Sequence, residues 1–124
     1  MSGKWKFYVQ GTFHRGGRAA FPCEAIIESG DRNEESAHRF RGVGPVAKAD
    51  EHGAFHSWYV TEGSDRPISK PDAVSVYIRV AKGDWQPLVL SLEKCTARSL
   101  SDMEMQLDLG SVEIPDGIAL YADY

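Results

Sequence analysis

The chain has 124 residues, of which 42% are hydrophobic and 26% are charged, a composition typical of a folded globular protein. Its formal net charge is -4 and no basic stripe is visible, which argues against a nucleic-acid partner because phosphate binding requires clustered positive charge. The N-terminus lacks the apolar core of a secretory signal, and no apolar run approaches the roughly 20 residues of a membrane span. We therefore expect no membrane contact and a cytoplasmic location, for a whole protein or a fragment of a larger one.

The first third of the chain predicts two strands and a long loop. Residues 5–13 alternate between apolar and polar side chains, as expected of a strand with one buried face. Two glycines in residues 15–18 predict a turn, and residues 21–28 predict a second strand that pairs with the first or lies beside it. Residues 29–44 are polar and dense in charge, so we expect a long surface loop there.

The middle of the chain contains the clearest strand signal. Residues 46–48 and 54–60 predict short strands joined by a turn, and a loop follows. Residues 73–92 then predict a hairpin with its turn at residues 82–84. The first half of this hairpin has valine and isoleucine on one parity and mixed side chains on the other. We therefore expect one apolar face and one partly wet face.

The last third predicts one more long strand. Residues 94–102 are polar and predict a connection, whereas residues 103–109 alternate strictly between apolar and polar side chains. Gly110 is expected to break or bulge that strand before Val112 and Ile114 continue it. The tail, residues 115–124, is too apolar for a solvated end, so we expect it to fold back or to mediate assembly.

These elements predict an all-β fold. No amphipathic helical period of ten residues or more occurs in the sequence. Seven to nine short strands separated by turn signals are typical of a Greek-key β-sandwich. We expect one domain that spans residues 1–124, with its strands in about residues 5–114.

Two cysteines, Cys23 and Cys95, leave the redox compartment open. One disulfide is possible, but the missing secretory signal favours two free thiols. Cys23 lies in a predicted buried strand, where a thiol behaves as a small hydrophobic group and not as a nucleophile.

The order of four motifs resembles a known family. The sequence has a glycine-rich turn within GTFHRGGRAAFPCEAII, then D-x-x-G-x-F from Asp50, P-x-x-V-x-V from Pro71 and D-L-G-x-V-x-I-P from Asp108. This order resembles the transthyretin-like superfamily, in particular the carboxypeptidase regulatory-domain-like modules, over residues 7–115. The resemblance implies a seven-stranded, transthyretin-like (immunoglobulin-like) sandwich with a binding, structural or scaffolding role and no chemistry of its own.

One branch of that superfamily hydrolyses 5-hydroxyisourate with two histidines, an arginine and a Y-R-G-S ending. This chain has His14 and Arg41 but ends in Leu-Tyr-Ala-Asp-Tyr, so we do not expect that activity. We identify no catalytic residue and no cofactor.

A metal site is the first alternative that the residues suggest. Asp50, His52 and His56 are of the types that bind zinc. Their spacing argues against a shared ion, because four residues along a strand span about 13 Å. The same segment also reads as a turn in which the aspartate caps the backbone.

A ligand-binding platform is the second alternative. Aromatic rings with polar neighbours stack on sugars or peptides, and the candidate residues are Trp58, Tyr59, Tyr77, Arg79 and Trp85. For the two tryptophans we favour burial in the sandwich core instead, because each shares a parity with an apolar neighbour.

We therefore expect a non-catalytic module for protein–protein interaction or assembly, with a protein partner or self-association through a sheet edge or the tail. The alternatives are a small-ligand or carbohydrate-binding module, and then a hydrolase or metal site.

Overall fold

The computed structural model describes residues 4–20, 23–29, 45–62, 67–79 and 86–115. They form nine strands and no helix, so none of this part of the chain forms a helix that could span a membrane. The expected all-β fold is thereby confirmed. The strands are β1 (Lys4–Arg15), β2 (Arg18–Ala19), β3 (Glu24–Ser29), β4 (Ala47–Lys48), β5 (Ala54–Glu62), β6 (Ala73–Arg79), β7 (Gln86–Ser91), β8 (Thr96–Ser99) and β9 (Glu104–Glu113).

The strands form two sheets that pack as a sandwich. In the first sheet, β1 lies between β9 on one side and β5 on the other, with β2 beside its far end and β8 beyond β9. The second sheet has the order β4-β3-β6-β7. The prediction that the first two long strands lie side by side is wrong, because β1 and β3 belong to different sheets.

The central strand β1 supplies the largest core side chains. Phe7, Val9 and Phe13 are buried on one face, as the alternation predicted. Phe7 stacks on Tyr59 with ring centroids 5.0 Å apart. Phe13 stacks on Phe55 at 4.1 Å. These offset stacks join β1 to β5 and fill the interior of the sandwich.

The predicted irregularity at Gly110 is confirmed as a β-bulge. Gln10 pairs with Asp108 and Thr12 with Ser111, so β9 has one extra residue at this point. Gly110 takes a φ of 66°, which glycine adopts without the steric cost of a Cβ. Because of the extra residue, Val112 and Ile114 return to the buried face of the sheet.

The central strands of the second sheet, β3 and β6, are buried on both faces. β6 and β7 form the predicted hairpin, with Val76 opposite Leu88. Val74, Val76 and Ile78 face the core, but Ser75 and Tyr77 on the opposite parity are also only 2% exposed. The expectation of a partly wet face on this strand is therefore wrong.

The segment predicted as a polar connection, residues 94–102, contains strand β8. Its side chains are mostly exposed and polar, so the sequence shows no alternation of apolar and polar residues there. The predicted long loop and tail lie, beyond their first residues, outside the described residues. So does the turn of the β6–β7 hairpin.

Ile78→Ala should reduce the free energy of unfolding by about 2–5 kcal/mol, because it leaves a cavity between the sheets. Val46→Ala is the matched control, since Val46 is 45% exposed and its loss should cost less than about 0.5 kcal/mol. Urea unfolding followed by tryptophan fluorescence measures both. Equal losses would show that β6 does not face the core as described.

Candidate functional site

The outer surface of the first sheet, which we call the open face, consists of side chains that stand in register on four strands. On β1, β5 and β9 they are the alternate residues whose side chains point away from the core. Strand pairing aligns them in three rows across the sheet. The rows are Val60–Lys6–Glu104, then Trp58–Tyr8–Gln106–Arg98, and then His56–Gln10–Asp108–Thr96.

Hydrogen bonds between neighbouring strands hold part of this surface in place. The Tyr8 hydroxyl donates to Glu104 Oε2 at 3.1 Å. The Gln10 side-chain amide donates to Asp108 Oδ2 at a longer 3.5 Å. Both contacts cross from β1 to β9, so side chains from opposite ends of the chain meet there.

A cation lies over the two aromatic rings of the open face. Lys6 Nζ is 4.6 Å from the centre of the Trp58 ring and 4.9 Å from the centre of the Tyr8 ring. These distances permit cation–π attraction, which is worth about 0.5–1 kcal/mol at exposed sites. The lysine therefore covers the ring surfaces that a planar ligand would use.

A groove of about 450 Å³ crosses the open face beside these rings. Its size lies within the range of small-ligand sites, about 300–1,000 Å³. The lining combines a phenol, two amides, an imidazole, a carboxylate and one exposed apolar side chain, from Tyr8, Gln10, His56, Leu100, Glu104 and Gln106.

The two candidate aromatic residues on β5 lie on opposite sides of the sheet. Trp58 is 40% exposed, so the favoured prediction that it belongs to the core is wrong. It does share a face with Val60, as its parity indicated, but that face is the open one. Tyr59 is buried against Phe7, and burial raises the pKa of its phenol.

The other platform candidates do not join Trp58. Tyr77 and Arg79 lie on β6 in the second sheet, and Tyr77 is buried. Arg79 Nη2 is 3.1 Å from Oε1 of Glu24, the residue opposite it on β3. Trp85 lies outside the described residues. The four described candidates of the alternative platform therefore do not lie together on one face.

The candidate metal residues form a turn. Asp50 Oδ1 accepts hydrogen bonds from the backbone N–H groups of His52 at 2.8 Å and Ala54 at 3.0 Å. These bonds hold the pKa of the Asp50 carboxyl below its ordinary value. His56 lies on the open face. Within the described ranges, no three His, Cys, Asp or Glu residues lie close enough to hold a metal ion.

Gly53 closes this turn against β1. Its carbonyl accepts a 2.8 Å hydrogen bond from the Phe13 N–H, and its φ of 81° lies in the left-handed region. A Cβ built on Gly53 would overlap the carbonyl oxygen of Phe13. The glycine of the D-x-x-G-x-F motif is thus required both by its φ and by the close approach of β1.

The two cysteines are free thiols, as predicted. Burial raises the pKa of Cys23 to about 12, with the neighbouring Glu24 charge as a smaller cause. Burial also raises the pKa of Cys95. Both thiols are therefore protonated near neutral pH, and the thiol is a poor nucleophile.

A histidine and a serine meet beside the β9 bulge. His14 Nδ1 is 2.7 Å from the Ser111 hydroxyl oxygen. In the Ser-His-Asp arrangement of hydrolases, a carboxylate also orients the imidazole. The carboxylate opposite His14, that of Glu113, instead accepts a hydrogen bond from the Gly16 N–H. Arg41, the other residue of the hydrolase comparison, lies outside the described residues.

The open face was not predicted from the sequence. Its main groove residues, Tyr8, Gln10, Glu104 and Gln106, occupy the polar parity of two strands whose alternation was recognised. Only the parallel pairing of β1 with β9 brings them together, and that pairing has no local sequence signal.

Comparison with known proteins supports the fold. No family model and no curated protein matches the chain. The dioxygenase domain of a dioxygenase carbohydrate-binding protein fusion from Streptomyces sp. SirexAA-E has a similar fold, with a TM-score of 0.53 and 9% sequence identity. The match covers 90% of this chain and 81% of that chain. At this identity the likeness shows the sandwich fold alone. The transthyretin-like resemblance stays a prediction.

Gly53→Ala should destabilise the protein more than Gly17→Ala. Both glycines have a φ near 80°, but a Cβ on Gly17 would meet no atom within 4 Å. Gly17→Ala should therefore cost about 1–2 kcal/mol, from the left-handed backbone alone. Gly53→Ala should cost at least about 1 kcal/mol more, because β1 must move and its hydrogen bond weakens. Chemical denaturation of both variants tests this, and equal losses would contradict the close approach at Gly53.

Proposed function

We propose that this chain is a non-catalytic binding module whose binding surface is the open face. The observation that carries the proposal is the alignment of polar and aromatic side chains on paired strands around one groove. Residues fixed on paired strands lose little conformational entropy when a ligand arrives, which favours binding. The surface also has polar groups of several kinds within one ligand-sized area.

The burial and hydrogen bonding of the described groups that could act as nucleophiles or bases support a binding role. The Cys23 thiol is buried and protonated, and the Asp50 carboxylate is engaged by backbone N–H groups. The His14 imidazole contacts Ser111, and the carboxylate of Glu113, the described residue opposite His14, is engaged by the Gly16 N–H instead. Each of these groups has a structural role where it stands.

A protein is the partner that we favour for the open face. Trp58 and Val60 lie on one side of the groove and Leu100 on the other, and all three side chains are at least 40% exposed. Exposed apolar and aromatic side chains serve as anchors in protein interfaces, and tryptophan is enriched among their hot spots. The face also carries charges of both signs, which suits a mixed peptide surface.

A carbohydrate is the second candidate. The groove favours it, because amide, imidazole and carboxylate side chains suit a ligand with many hydroxyl groups. The position of Lys6 argues against it, since the ammonium covers the rings on which a sugar would stack. A sugar would have to displace that lysine before it reached Trp58.

Panning a phage-displayed library of random peptides against the immobilised chain tests the proposal, with a glycan array probed in parallel. Peptides selected on the wild type should bind the Gln106→Ala and Leu100→Ala variants about tenfold more weakly, since loss of a hot-spot contact costs more than about 1 kcal/mol. Val46→Ala, an exposed change directly before β4, should leave their affinity unchanged.

Two results would contradict this assignment. Peptides that bind all three variants as well as the wild type would show that the open face is not the binding surface. Glycan binding that is lost in Gln106→Ala, together with no peptide selection, would replace the protein partner with a carbohydrate.

A further inference from the structure

Five of the described strands lie at sheet edges, and they differ in how they are protected from pairing with another chain. An edge strand exposes unpaired backbone N–H and C=O groups, and proteins protect such edges by shortness, charge or proline. The first sheet ends at β8 on one side and at β5 and β2 on the other, and the second ends at β4 and β7. β2 and β4 have two residues each, β8 has four and contains an arginine, and β7 contains a proline.

β5 is the least protected of these edges, because its one acidic residue, Glu62, stands at its end and no other described strand pairs with it on the side away from β1. It is nine residues long, and its sequence, AFHSWYVTE, contains no lysine, arginine, proline or glycine. Its two exposed apolar side chains, Trp58 and Val60, lie beside that open edge. A long, regular and apolar edge is the kind that pairs with another strand.

The hydrogen-bond pattern shows which β5 residues face outward. The bond from Phe13 N–H to Gly53 C=O shows that the backbone N–H and C=O groups of odd-numbered β1 residues point toward β5. In an antiparallel pair these groups alternate, so those of odd-numbered β5 residues bond to β1 and those of even-numbered β5 residues point away from it. The outward backbone groups in the middle of the strand therefore belong to His56, Trp58 and Val60.

We propose that a second copy of this chain pairs with β5, antiparallel and about a two-fold axis through Trp58. Trp58 is the middle residue of the nine-residue strand, so this register overlaps the two strands completely. Each Trp58 then lies opposite Trp58 of the second copy, and each Val60 lies opposite the second copy's His56. The three outward residues of each strand supply six N–H···O=C hydrogen bonds in this register.

The side chains suit this self-pairing. No like charges lie opposite one another at these positions, and aromatic pairs between strands are stabilising. The two tryptophans come together on the same side of a continuous ten-stranded sheet, where each covers part of the exposed apolar surface of the other. The two open faces then form one surface. The pairing uses the backbone of the edge, so it does not depend on the function proposed for the groove.

Light scattering after size-exclusion chromatography tests the pairing. At about 100 µM the wild type should have twice its chain mass of 13.7 kDa. Trp58→Lys should halve the measured mass, because it places two lysines opposite each other at the axis. Ser99→Lys, at an exposed position of β8 on the opposite edge of the first sheet, should leave the dimer intact. If Trp58→Lys fails to fold, as judged by circular dichroism, Val60→Lys takes its place and should also give a monomer.

The register is tested by cross-linking in a Cys95→Ser background. Residues in a hydrogen-bonded antiparallel pair have Cα atoms about 5.5 Å apart, within the range of a disulfide. Trp58→Cys should therefore form a disulfide-linked dimer under mild oxidation, whereas Thr96→Cys on the opposite edge should not. A wild type that stays at the chain mass overturns the proposal. A dimer that persists in Trp58→Lys or Val60→Lys also overturns it, because such a dimer uses another surface. The same holds for a dimer that cross-links through Thr96→Cys and not through Trp58→Cys.

Discussion

The pairing of β1 on both of its sides is the constraint on which the rest of the structure depends. This twelve-residue strand bonds to β5 through its odd-numbered residues and to β9 through its even-numbered ones. Its side chains divide in the same alternation, with the odd-numbered ones in the core. One strand therefore forms the centre of the first sheet, supplies one ring to each aromatic stack of the core, and places Lys6, Tyr8 and Gln10 in the three rows of the open face.

The bulge at Gly110 lets β9 contribute side chains to the core on both sides of that glycine. Without the extra residue, the pleat would turn Val112 and Ile114 toward solvent. With it, Val112 joins Met105 and Leu107 in the core, and Ile114 follows directly after the strand. The open-face residues of β9, which are Glu104, Gln106 and Asp108, all precede the bulge, so the bulge completes the core and leaves the proposed binding surface unchanged.

The sequence predicted strands and parities well but not which face is buried. Phe7 and Ile78 were placed correctly, because in β1 and β6 one parity is purely apolar. Trp58 was assigned to the wrong face, because both parities of β5 carry large apolar residues and alternation alone cannot rank them. The groove was missed for a different reason. It depends on the parallel pairing of β1 with β9, a contact between residues about a hundred positions apart that leaves no local pattern.

The fold alone does not assign a function, since one sandwich supports many activities, and the groups on its surface carry that argument. The central claim is that β1, β5 and β9 present one shared surface centred on Tyr8. Nuclear Overhauser contacts of the Tyr8 ring protons in solution test it most directly. The account predicts contacts to Trp58 across one strand boundary and to Gln106 or Glu104 across the other. Contacts from Tyr8 to the core residues Val9 or Leu107 alone would contradict it.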